Sequence, residues 1–376
     1  MSMASLGRAA ALVTLSVLAA GSAAAQTYRS EHGELRVTRI ANGLEHPWAL
    51  AFLPDGRLLV TERPGRLRYA AKDGSLGAPL DNVPRVFARG QGGLLDVALD
   101  PAFASNRMIY LCFAEPGADG AGTAVARARL GETALDDVQV IFRQVPKTSG
   151  GLHFGCRIAP TRAGPVFIAL GERNVQPSAQ DLGTHLGKVV RIRPDGSVPA
   201  DNPFAKRAGA LPEIWSFGHR NIQGAALHPD SGRLWTVEHG ARGGDEINTP
   251  EAGKNYGWPV ITYGVDYSGF RIGEGTAKAG MEQPVFHWDP SIAPSGLAFY
   301  TGAAFPAWRG NLLVGALKER LLARLELDGA KVVKEERLLR ELGERIRDVR
   351  VGPDGAVYLL TDDANGRILR VTPATP

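Results

Sequence analysis

Six times along its 376 residues, the chain repeats one pattern of apolar and polar positions. An apolar strand is followed by a turn rich in proline, aspartate and glycine, and then by a second apolar strand. The clearest copies are residues 48–60, 225–237 and 349–360, and looser copies are residues 95–112, 157–170 and 296–316. β-Hairpin turn chemistry repeated at a spacing of tens of residues is typical of radial β architecture. The pattern therefore predicts an all-β fold, a six-bladed β-propeller, in which loops distant in sequence meet around one central channel.

The start of the chain does not follow this repeat. Arg8 gives a weakly positive beginning, residues 9–20 form an apolar run, and residues 21–25 are small residues suited to cleavage. The run is too short to span a bilayer, and it lacks the polar stripe of a retained amphipathic anchor. We therefore expect residues 1–25 to be a secretory signal peptide. Residues 26–376 are then the propeller of a periplasmic or secreted protein with no membrane span.

The charge balance argues against one class of partner. Removing Arg8 leaves 42 of the 43 basic residues against 39 acidic ones, and no basic stripe runs along the chain. Charges of both signs alternate along most of the predicted strands, unlike the electrostatic pattern of a nucleic-acid-binding protein. We therefore expect no nucleic-acid partner.

The chain has two cysteines, Cys112 and Cys156, which fall in adjacent repeats and are flanked by apolar residues. An oxidising compartment would permit a disulfide, but two cysteines do not form a disulfide framework. Free cysteine is commonly a small buried hydrophobic residue. The pattern favours two buried free thiols over a disulfide.

The segments between the repeats are polar and rich in glycine, and several of them adjoin the first strand of a repeat. In a propeller such positions surround the channel mouth, where glycine lets the backbone approach a ligand closely. Four cations in these segments are expected to converge there: Arg220, Lys318, Arg345 and Arg347. Together they indicate a small acidic ligand with several carboxylates, since arginine binds carboxylates in a planar, bidentate way. The alternative is that each one is an ordinary surface cation.

His153 is a candidate general base. It stands between Leu152 and Phe154 with glycines on both sides, and Glu172 follows the paired strand of the same repeat. A carboxylate on one ring nitrogen fixes the tautomer and raises the basicity of the other nitrogen. The alternative is a core histidine whose hydrogen bonds are satisfied among apolar neighbours.

The segment 239–248 is a candidate metal site. Several glycines surround Asp245 and Glu246, and backbone carbonyls combined with carboxylate oxygens are the ligands that Ca²⁺ requires. The spacing is not that of an EF-hand loop, and ordinary turn chemistry explains the segment equally well.

Taken together, these segments resemble the soluble quinoprotein aldose dehydrogenases, and the resemblance covers essentially the whole mature chain. The matching stretches are residues 90–99, 153–155, 179–182, 213–218, 220–221, 238–240, 243–248, 254–259 and 345–349. Each stretch alone is weak evidence, but their order and extent make the resemblance specific. It implies a six-bladed propeller that holds pyrroloquinoline quinone (PQQ) and Ca²⁺ at the channel mouth. PQQ is a polycarboxylate, which agrees with the acidic ligand inferred from the cations.

The resemblance also implies roles for individual residues. The positions that would hold the cofactor are Gln91, Arg220, Asn221, Lys318, Arg345 and Arg347, with Tyr267 bordering it. His153 matches the general base, Glu172 matches the acidic residue that orients it, and Arg220 would stabilise charge on the cofactor. The positions associated with calcium are the backbone carbonyls of Gly240 and Ala241, together with Glu246 and Tyr256.

Three residues depart from the family pattern. Ala241 stands where relatives often have proline, which ligation by the backbone tolerates. Cys156 replaces an expected glycine, and Leu152 replaces a polar residue, on either side of the base segment. These two changes bear on sugar preference rather than on the reaction.

The expected activity is oxidation of an aldose at its anomeric carbon to a lactone, by hydride transfer to PQQ, with an external electron acceptor restoring the cofactor. Two alternatives come from other classes. A Ca²⁺-dependent propeller lactonase needs a cage of carboxylates and asparagines around a central metal, and the set of cations argues against it. A non-catalytic exported receptor needs neither a base nor a cofactor.

Overall fold

The computed structural model describes residues 26–375, and these are built almost entirely from antiparallel strands. The predicted signal peptide, residues 1–25, lies outside the described residues. The described residues begin with a hairpin of β1 (Gln26–Ser30) and β2 (Gly33–Leu44). Six sheets follow one another around a central channel, each starting with its innermost strand. The prediction of an all-β, six-bladed propeller is therefore confirmed.

The first three blades each consist of four consecutive strands. Blade 1 contains β3 (Pro47–Phe52), β4 (Leu58–Glu62), β5 (Arg66–Ala70) and β6 (Leu76–Pro79). Blade 2 contains β7 (Leu94–Leu99), β8 (Met108–Gly117), β9 (Gly120–Leu130) and β10 (Leu135–Arg143). Blade 3 contains β11 (Gly155–Pro160), β12 (Val166–Leu170), β13 (Lys188–Ile192) and β14 (Ile214–Phe217).

The second half of the ring continues in the same way. Blade 4 contains β15 (Ile222–Leu227), β16 (Leu234–Glu238), β17 (Asp245–Asn248) and β18 (Phe286–Trp288). Blade 5 contains β19 (Pro294–Phe299), β20 (Leu312–Ala316), β21 (Leu321–Asp328) and β22 (Lys331–Leu338). Blade 6 starts with β23 (Ile346–Val351), β24 (Val357–Thr361) and β25 (Gly366–Pro373).

The two ends of the chain close the ring in blade 6. There β25 pairs with β2, in antiparallel register from Leu35 opposite Pro373 to Leu44 opposite Gly366. Strands β1 and β2 are therefore the outermost strands of the blade that the C-terminal strands begin. This pairing satisfies edges that an open ring would leave exposed.

The turns predicted from the repeat have the geometry that their residues require. In blade 1, Gly56 donates its N–H to Leu53 O at 2.9 Å, and Asp55 Oδ1 accepts the Arg57 N–H at 2.9 Å. Gly56 has φ of 86° and Gly355 in the matching turn of blade 6 has φ of 75°. A left-handed residue at this place suits glycine, so the Pro-Asp-Gly sequence sets the hairpin.

Helical structure is confined to short segments among residues 26–375. One α-helical turn, α1, spans Phe103–Asn106, and 3₁₀ turns span Gln176–Gln180, Pro306–Trp308 and Arg340–Leu342. Within this described part of the chain, no helix has the length and apolar character needed to cross a membrane.

The prediction of two free thiols is wrong, because Cys112 and Cys156 form a disulfide. Strand β8 of blade 2 and strand β11 of blade 3 lie side by side, which brings the two Cα atoms to 5.7 Å. This is an ordinary separation for a disulfide. The local sequence could not show it, because the contact crosses from one blade to the next.

Inside the channel, three buried charged residues and the partly exposed Arg350 join three inner strands. Arg157 on β11 lies 3.3 Å from Asp96 on β7 and 3.0 Å from Asp348 on β23. Arg350 on β23 pairs with the same carboxylates, at 3.0 Å and 2.8 Å. This network lies between a polar cavity at one end of the channel and an apolar cavity of about 440 Å³ at the other.

Candidate active site

A polar cavity of about 200 Å³ lies at the end of the channel where the innermost strands begin. All six blades contribute to its lining, which comprises Trp48, Arg63, Gln91, Phe154, Gly155, Gln223, His239, Ala293, Leu317, Arg345, Arg347 and Asp362. Three of the residues predicted to hold a cofactor, Gln91, Arg345 and Arg347, are therefore brought together from blades 2 and 6. The expectation that distant loops meet at the mouth holds for these three.

A carboxylate balances the cations in this cavity. Arg347 Nη2 lies 2.8 Å from Asp362 Oδ2, and Arg345 Nη2 lies 3.3 Å from the same oxygen. Burial alone would raise the pKa of Asp362, but Arg347, His46 and Arg345 outweigh burial and hold it well below its usual range. With Arg63, the lining carries three guanidinium groups and one carboxylate, so the cavity remains positive and suits an anionic ligand.

Arg220 lies in a second, smaller cavity next to the first. This cavity is lined by Gly218, Arg220, Glu238, His239, Gly240, Gly244, Glu246, Tyr256, Trp258, Ile261 and Thr262. The Arg220 backbone N–H donates to Glu238 Oε2 at 2.6 Å, and its Nη1 donates to the carbonyl oxygen of Gly240. Four predicted positions, Arg220, Gly240, Glu246 and Tyr256, therefore share one cavity.

His239 lines both cavities. Burial, assisted by the charges of Arg220 and Arg347, lowers the pKa of His239 to about 3, although its bond to a backbone carbonyl opposes the shift. The ring is therefore neutral at neutral pH, and its Nε2 donates to Pro294 O at 2.7 Å. The sequence analysis did not assign this residue a role, although it belongs to the segment proposed for metal binding.

His153 and Glu172 form the predicted pair. Nδ1 of His153 lies 2.9 Å from Glu172 Oε1, and both side chains are buried. His153 is not itself a lining residue, but its backbone lies next to the polar cavity. The His153 N–H donates to the side chain of Gln91 at 2.8 Å, and Gln91 and the two residues after His153 line the cavity. A carboxylate accepts the proton on Nδ1, which leaves Nε2 as the basic nitrogen.

Asn221 links this pair to the cationic residues. Its Oδ1 accepts the Gly155 N–H and the Gln223 side chain, each at 3.1 Å. The neighbouring Glu172 N–H donates to Arg220 O at 2.9 Å. The base, its carboxylate and two predicted cofactor residues therefore form one hydrogen-bonded unit across blades 3 and 4.

Several buried donors in this unit and in the polar cavity beside it lack partners within residues 26–375. They are Nε of Arg220, Nδ2 of Asn221 and Nε of Arg347. Leaving buried donors unpaired is costly, so each calls for a partner that the protein itself does not supply. An anionic ligand with several carboxylates offers acceptors to such a cluster, so the residues fit a PQQ-like molecule.

The second cavity has the chemistry of a cation site. Burial raises the pKa of Glu246 to about 8, and the charge of Glu238 adds to that shift. The amide of Asn248 contacts both carboxylates, at 3.2 Å and 3.0 Å, while its Oδ1 has no partner in the described part of the chain. Two crowded carboxylates and an unpaired amide oxygen fit a hard cation with oxygen ligands.

Tyr256 does not present a free hydroxyl to this cavity. Its hydroxyl donates to Thr249 O at 2.6 Å and accepts the Glu251 N–H at 3.0 Å. Its ring stacks on His219 at 4.8 Å between centroids. Ala241 lies next to Gly240 and is buried.

Among the predicted residues that line neither cavity, Lys318 and Tyr267 are the two exposed ones. Lys318 is exposed and its Nζ donates to Ser291 O at 3.1 Å, although the preceding residue, Leu317, lines the polar cavity. Tyr267 is 71% exposed on the long loop between β17 and β18. The predicted set of four converging cations is therefore reduced to Arg345 and Arg347 in one cavity and Arg220 in the next.

A buried relay behind the second cavity has the residue types of a hydrolytic triad. Ser216 Oγ lies 2.9 Å from His219 Nε2, and His219 Nδ1 lies 2.9 Å from Glu238 Oε1. Ser216 and His219 are completely buried, so no substrate can reach the hydroxyl. The relay instead fixes the orientation of Glu238. Sequence reasoning missed it, although His219 stands directly before Arg220.

Other lining residues had weaker signals. Trp48 begins the clearest repeat, Gln223 lies in a glycine-rich segment, and Arg63 and Asp362 each follow the second strand of a blade. Glu172 stands near the same place in blade 3, and Glu238 ends the second strand of blade 4. The end of the second strand is therefore a recurring position for polar groups at the channel mouth.

The chain is similar to proteins of one family over most of its length. Residues 44–370 match the family model described as Glucose / Sorbosone dehydrogenase. Aldose sugar dehydrogenase YliI of Escherichia coli (strain K12) is 52% identical over 345 residues, which cover 90% of this chain and 93% of that protein.

Solved structures agree with the sequence match. The apo form of the soluble aldose sugar dehydrogenase from Escherichia coli has a TM-score of 0.88 and 51% identity, covering 90% of this chain and 99% of that one. The PQQ-bound form of an aldose sugar dehydrogenase from Streptomyces coelicolor has a TM-score of 0.74 and 31% identity, covering 90% and 98%.

Proposed function

Because the chain belongs to the glucose/sorbosone dehydrogenase family, we propose that it is an exported quinoprotein that oxidises aldose sugars at the anomeric carbon to lactones. The observation that carries this proposal is the hydrogen-bonded pair of His153 and Glu172 beside a cavity lined by Arg345 and Arg347. A positioned base next to an anion-binding cavity is the arrangement that such an oxidation requires.

The cofactors of the proposal are PQQ and Ca²⁺. One relative of similar fold is described as PQQ-bound, and the unpaired donors of Arg220, Asn221 and Arg347 suit a polycarboxylate. We propose that Gln91, Arg220, Asn221, Arg345 and Arg347 hold PQQ, with Lys318 and Tyr267 at its edge. We propose that Ca²⁺ takes the carbonyls of Gly240 and Ala241, and that Glu246 and Tyr256 contribute to binding calcium.

When bound, PQQ would supply the hydride-accepting quinone, and Ca²⁺ would supply Lewis-acid stabilisation of negative charge. His153 accepts the proton of the anomeric hydroxyl at Nε2. Its Nδ1–H continues to donate a hydrogen bond to Glu172 Oε1. The carboxylate stabilises the imidazolium that forms. Arg220, fixed by Glu238 and Gly240, presents positive charge where negative charge develops. The proton and the hydride together account for the two hydrogens lost in forming the lactone.

Reoxidation needs a partner. The two electrons must then pass from the reduced site to an external acceptor.

Export fits the covalent structure. Disulfides persist in oxidising compartments and are rare in the cytosol. The Cys112–Cys156 bond therefore supports a periplasmic or secreted location, in line with the proposed signal peptide.

A reconstitution experiment separates this proposal from its rivals. Purified protein is mixed with PQQ and Ca²⁺, and the absorbance of the bound quinone is followed after anaerobic addition of an aldose. The proposal expects a bound chromophore that the sugar bleaches in a single turnover, with lactone formed in equal amount. A Ca²⁺-dependent lactonase would instead hydrolyse lactones without PQQ, and a receptor would bind sugar without bleaching. The blocked position of Ser216 already removes one route to hydrolysis.

A further inference from the structure

The segment that carries the base, residues 153–156, has an unusual backbone. Three of its four residues have left-handed φ values: 50° for His153, 63° for Gly155 and 81° for Cys156. The last of them coincides with an irregularity in the pairing of β11 with β12. Residues with side chains rarely adopt this conformation, and it persists only where the surroundings hold it in place.

Non-covalent contacts hold the first three residues of the segment. The His153 N–H donates to the side chain of Gln91 at 2.8 Å, and Phe154 O accepts the Thr123 hydroxyl at 2.7 Å. The Gly155 N–H donates to Asn221 at 3.1 Å. Gln91 and Thr123 both belong to blade 2, so the neighbouring blade holds much of the segment that carries the base.

The disulfide is the covalent part of the same attachment. Cys112 lies on β8, the second strand of blade 2, and Cys156 lies three residues after His153 on the innermost strand of blade 3. The two strands belong to different sheets, so no strand ladder joins them. Both cysteines are completely buried in the apolar core, where the bond is shielded from solvent reductants.

We propose that the Cys112–Cys156 disulfide positions His153 for proton abstraction. The bond fixes the left-handed end of the segment against blade 2, and the hydrogen bonds of the preceding residues then hold the imidazole toward Glu172. Cys112 and Cys156 are positioning residues in this account, because neither touches the sugar or the cofactor. The inference rests on the proposed function, since it assumes that His153 is the base.

Two variants cut the bond in different ways. Cys112→Ala removes the bond and leaves an L-residue at the left-handed position 156. Cys156→Gly removes the bond and supplies the residue type that accepts this conformation freely. Ile109→Val is the matched control, because Ile109 is a completely buried residue of the same strand β8 and its truncation leaves the disulfide intact.

The first measurement is the single-turnover rate of cofactor reduction at saturating aldose. Both cysteine variants should lose on the order of tenfold, less than the roughly 10²-fold cost of a 1 Å misplacement. The KM for sugar and the Kd for PQQ should stay within about twofold of the wild-type values, because the variants lose the orientation of the His153 imidazole and keep the binding contacts. Ile109→Val should lower the thermal midpoint while keeping the wild-type rate.

The second measurement needs no cofactor. Hydrogen exchange of the peptide spanning residues 150–160 in the apoprotein should be faster in both cysteine variants and unchanged in Ile109→Val. Thiol titration of the denatured wild-type protein before and after reduction verifies that the bond is present.

The outcomes distinguish failure of the proposed function from failure of the proposed positioning role of the disulfide. If the wild-type protein holds PQQ but no aldose reduces it, the proposed function fails, and exchange still reports whether the bond holds the segment. If wild type is active and Cys156→Gly keeps its rate and its exchange pattern, the positioning role is overturned. Equal rate losses in Cys112→Ala and Ile109→Val at equal loss of stability would also overturn it, since they would show a structural effect only.

Discussion

Nδ1 of His153 lies 2.9 Å from Oε1 of Glu172, and the two residues flank the two strands of a single hairpin in blade 3. The imidazole precedes β11 and the carboxylate follows β12, so the antiparallel pairing itself brings them together. The Glu172 N–H then donates to Arg220 O in blade 4. The hairpin that forms the pair therefore also connects it to the cationic side of the site.

Removing the imidazole should abolish most of the chemistry without unfolding the protein. We expect His153→Ala to bind PQQ, Ca²⁺ and sugar but to lose roughly 10²–10⁴-fold in the rate of cofactor reduction, the usual contribution of a positioned base. Stopped-flow reduction of bound PQQ by an aldose measures this step apart from reoxidation. A rate close to that of wild type would mean that His153 merely lines the channel.

Replacing the carboxylate should have a smaller and pH-dependent effect. In Glu172→Gln the imidazole keeps a hydrogen-bond acceptor but loses the anion that stabilises its protonated form. The acid limb of the pH–rate profile should therefore move to lower pH, since more acid is then needed to protonate the ring. An unchanged profile from pH 5 to 9 would show that the pair does not set the basicity of the site.

Cofactor retention should depend on Arg347 more than on Lys318. Arg347 is buried in the polar cavity, whereas Lys318 is exposed and bound to a backbone carbonyl. Loss of a charge-assisted hydrogen bond costs roughly 1.5–3 kcal/mol, so Arg347→Ala should weaken PQQ binding by about one to two decades. Lys318→Ala should weaken it less, and Lys278→Ala, at an exposed pair with Glu274, is the control.

Titration of each apoprotein with PQQ gives these affinities. Saturating PQQ should restore most of the turnover of Arg347→Ala. A turnover that stays low at saturation would assign this arginine to the chemical step instead.

Binding of PQQ should require Ca²⁺ and weaken with salt, because an anion held by guanidinium groups and a cation is screened by mobile ions. Glu246→Gln should reduce the affinity for Ca²⁺ measured by calorimetry, whereas Glu274→Gln, 64% exposed, should not. PQQ affinity that is equal with and without a chelator over a wide range of salt would count against the site.

A buried lysine should make stability depend on pH. Lys188 Nζ donates to three backbone carbonyls, Ser178 O, Ala179 O and Leu186 O, at 2.8, 3.1 and 2.6 Å. Burial lowers the pKa of Lys188 to about 7, with Asp181 opposing the shift. An unfolded lysine titrates near 10.4, so between about pH 7 and 10 the unfolded chain binds more protons, and stability rises with pH.

The comparison with Lys188→Met isolates this group. The urea midpoint of wild type should rise relative to that of the variant as pH increases from 7 to 9. The corresponding free energy of unfolding should rise by up to about 1.4 kcal/mol per pH unit. Lys206→Met, at an exposed position, should run parallel to wild type. Parallel curves for Lys188→Met as well would mean that the buried amine titrates at its ordinary pKa.

The fold could be predicted because the residues that determine each hairpin lie close together in the sequence. Each copy of the repeat carries its own apolar strands and turn residues, as at Gly56 and Gly355. Six such copies indicate a six-bladed propeller. The family membership inferred from the motifs is also confirmed. The pair of His153 and Glu172 was predictable for the same reason, since both residues flank one hairpin.

What the sequence did not reveal depends on contacts between blades. The bond between Cys112 and Cys156 joins adjacent sheets, and Asp362 is recognised as a partner of Arg347 only once blade 6 is folded. Lys318 was placed with the other cations by residue type, but its side chain is directed to a backbone carbonyl instead. Residue type predicts the strands well. It predicts less well which side chains reach the mouth of the channel.

The pairing of β2 with β25 makes closure of the ring depend on the synthesis of β25. Leu35 is made early and Pro373 much later, so the ring stays open until β25 has been made. Such distant pairing makes closure a slow step of folding. A chain cut short before β25 would leave the edge of β24 bare, which is a template for association with another chain. Chains truncated before β25 should therefore aggregate or be degraded, because this eight-residue strand covers the edge of β24.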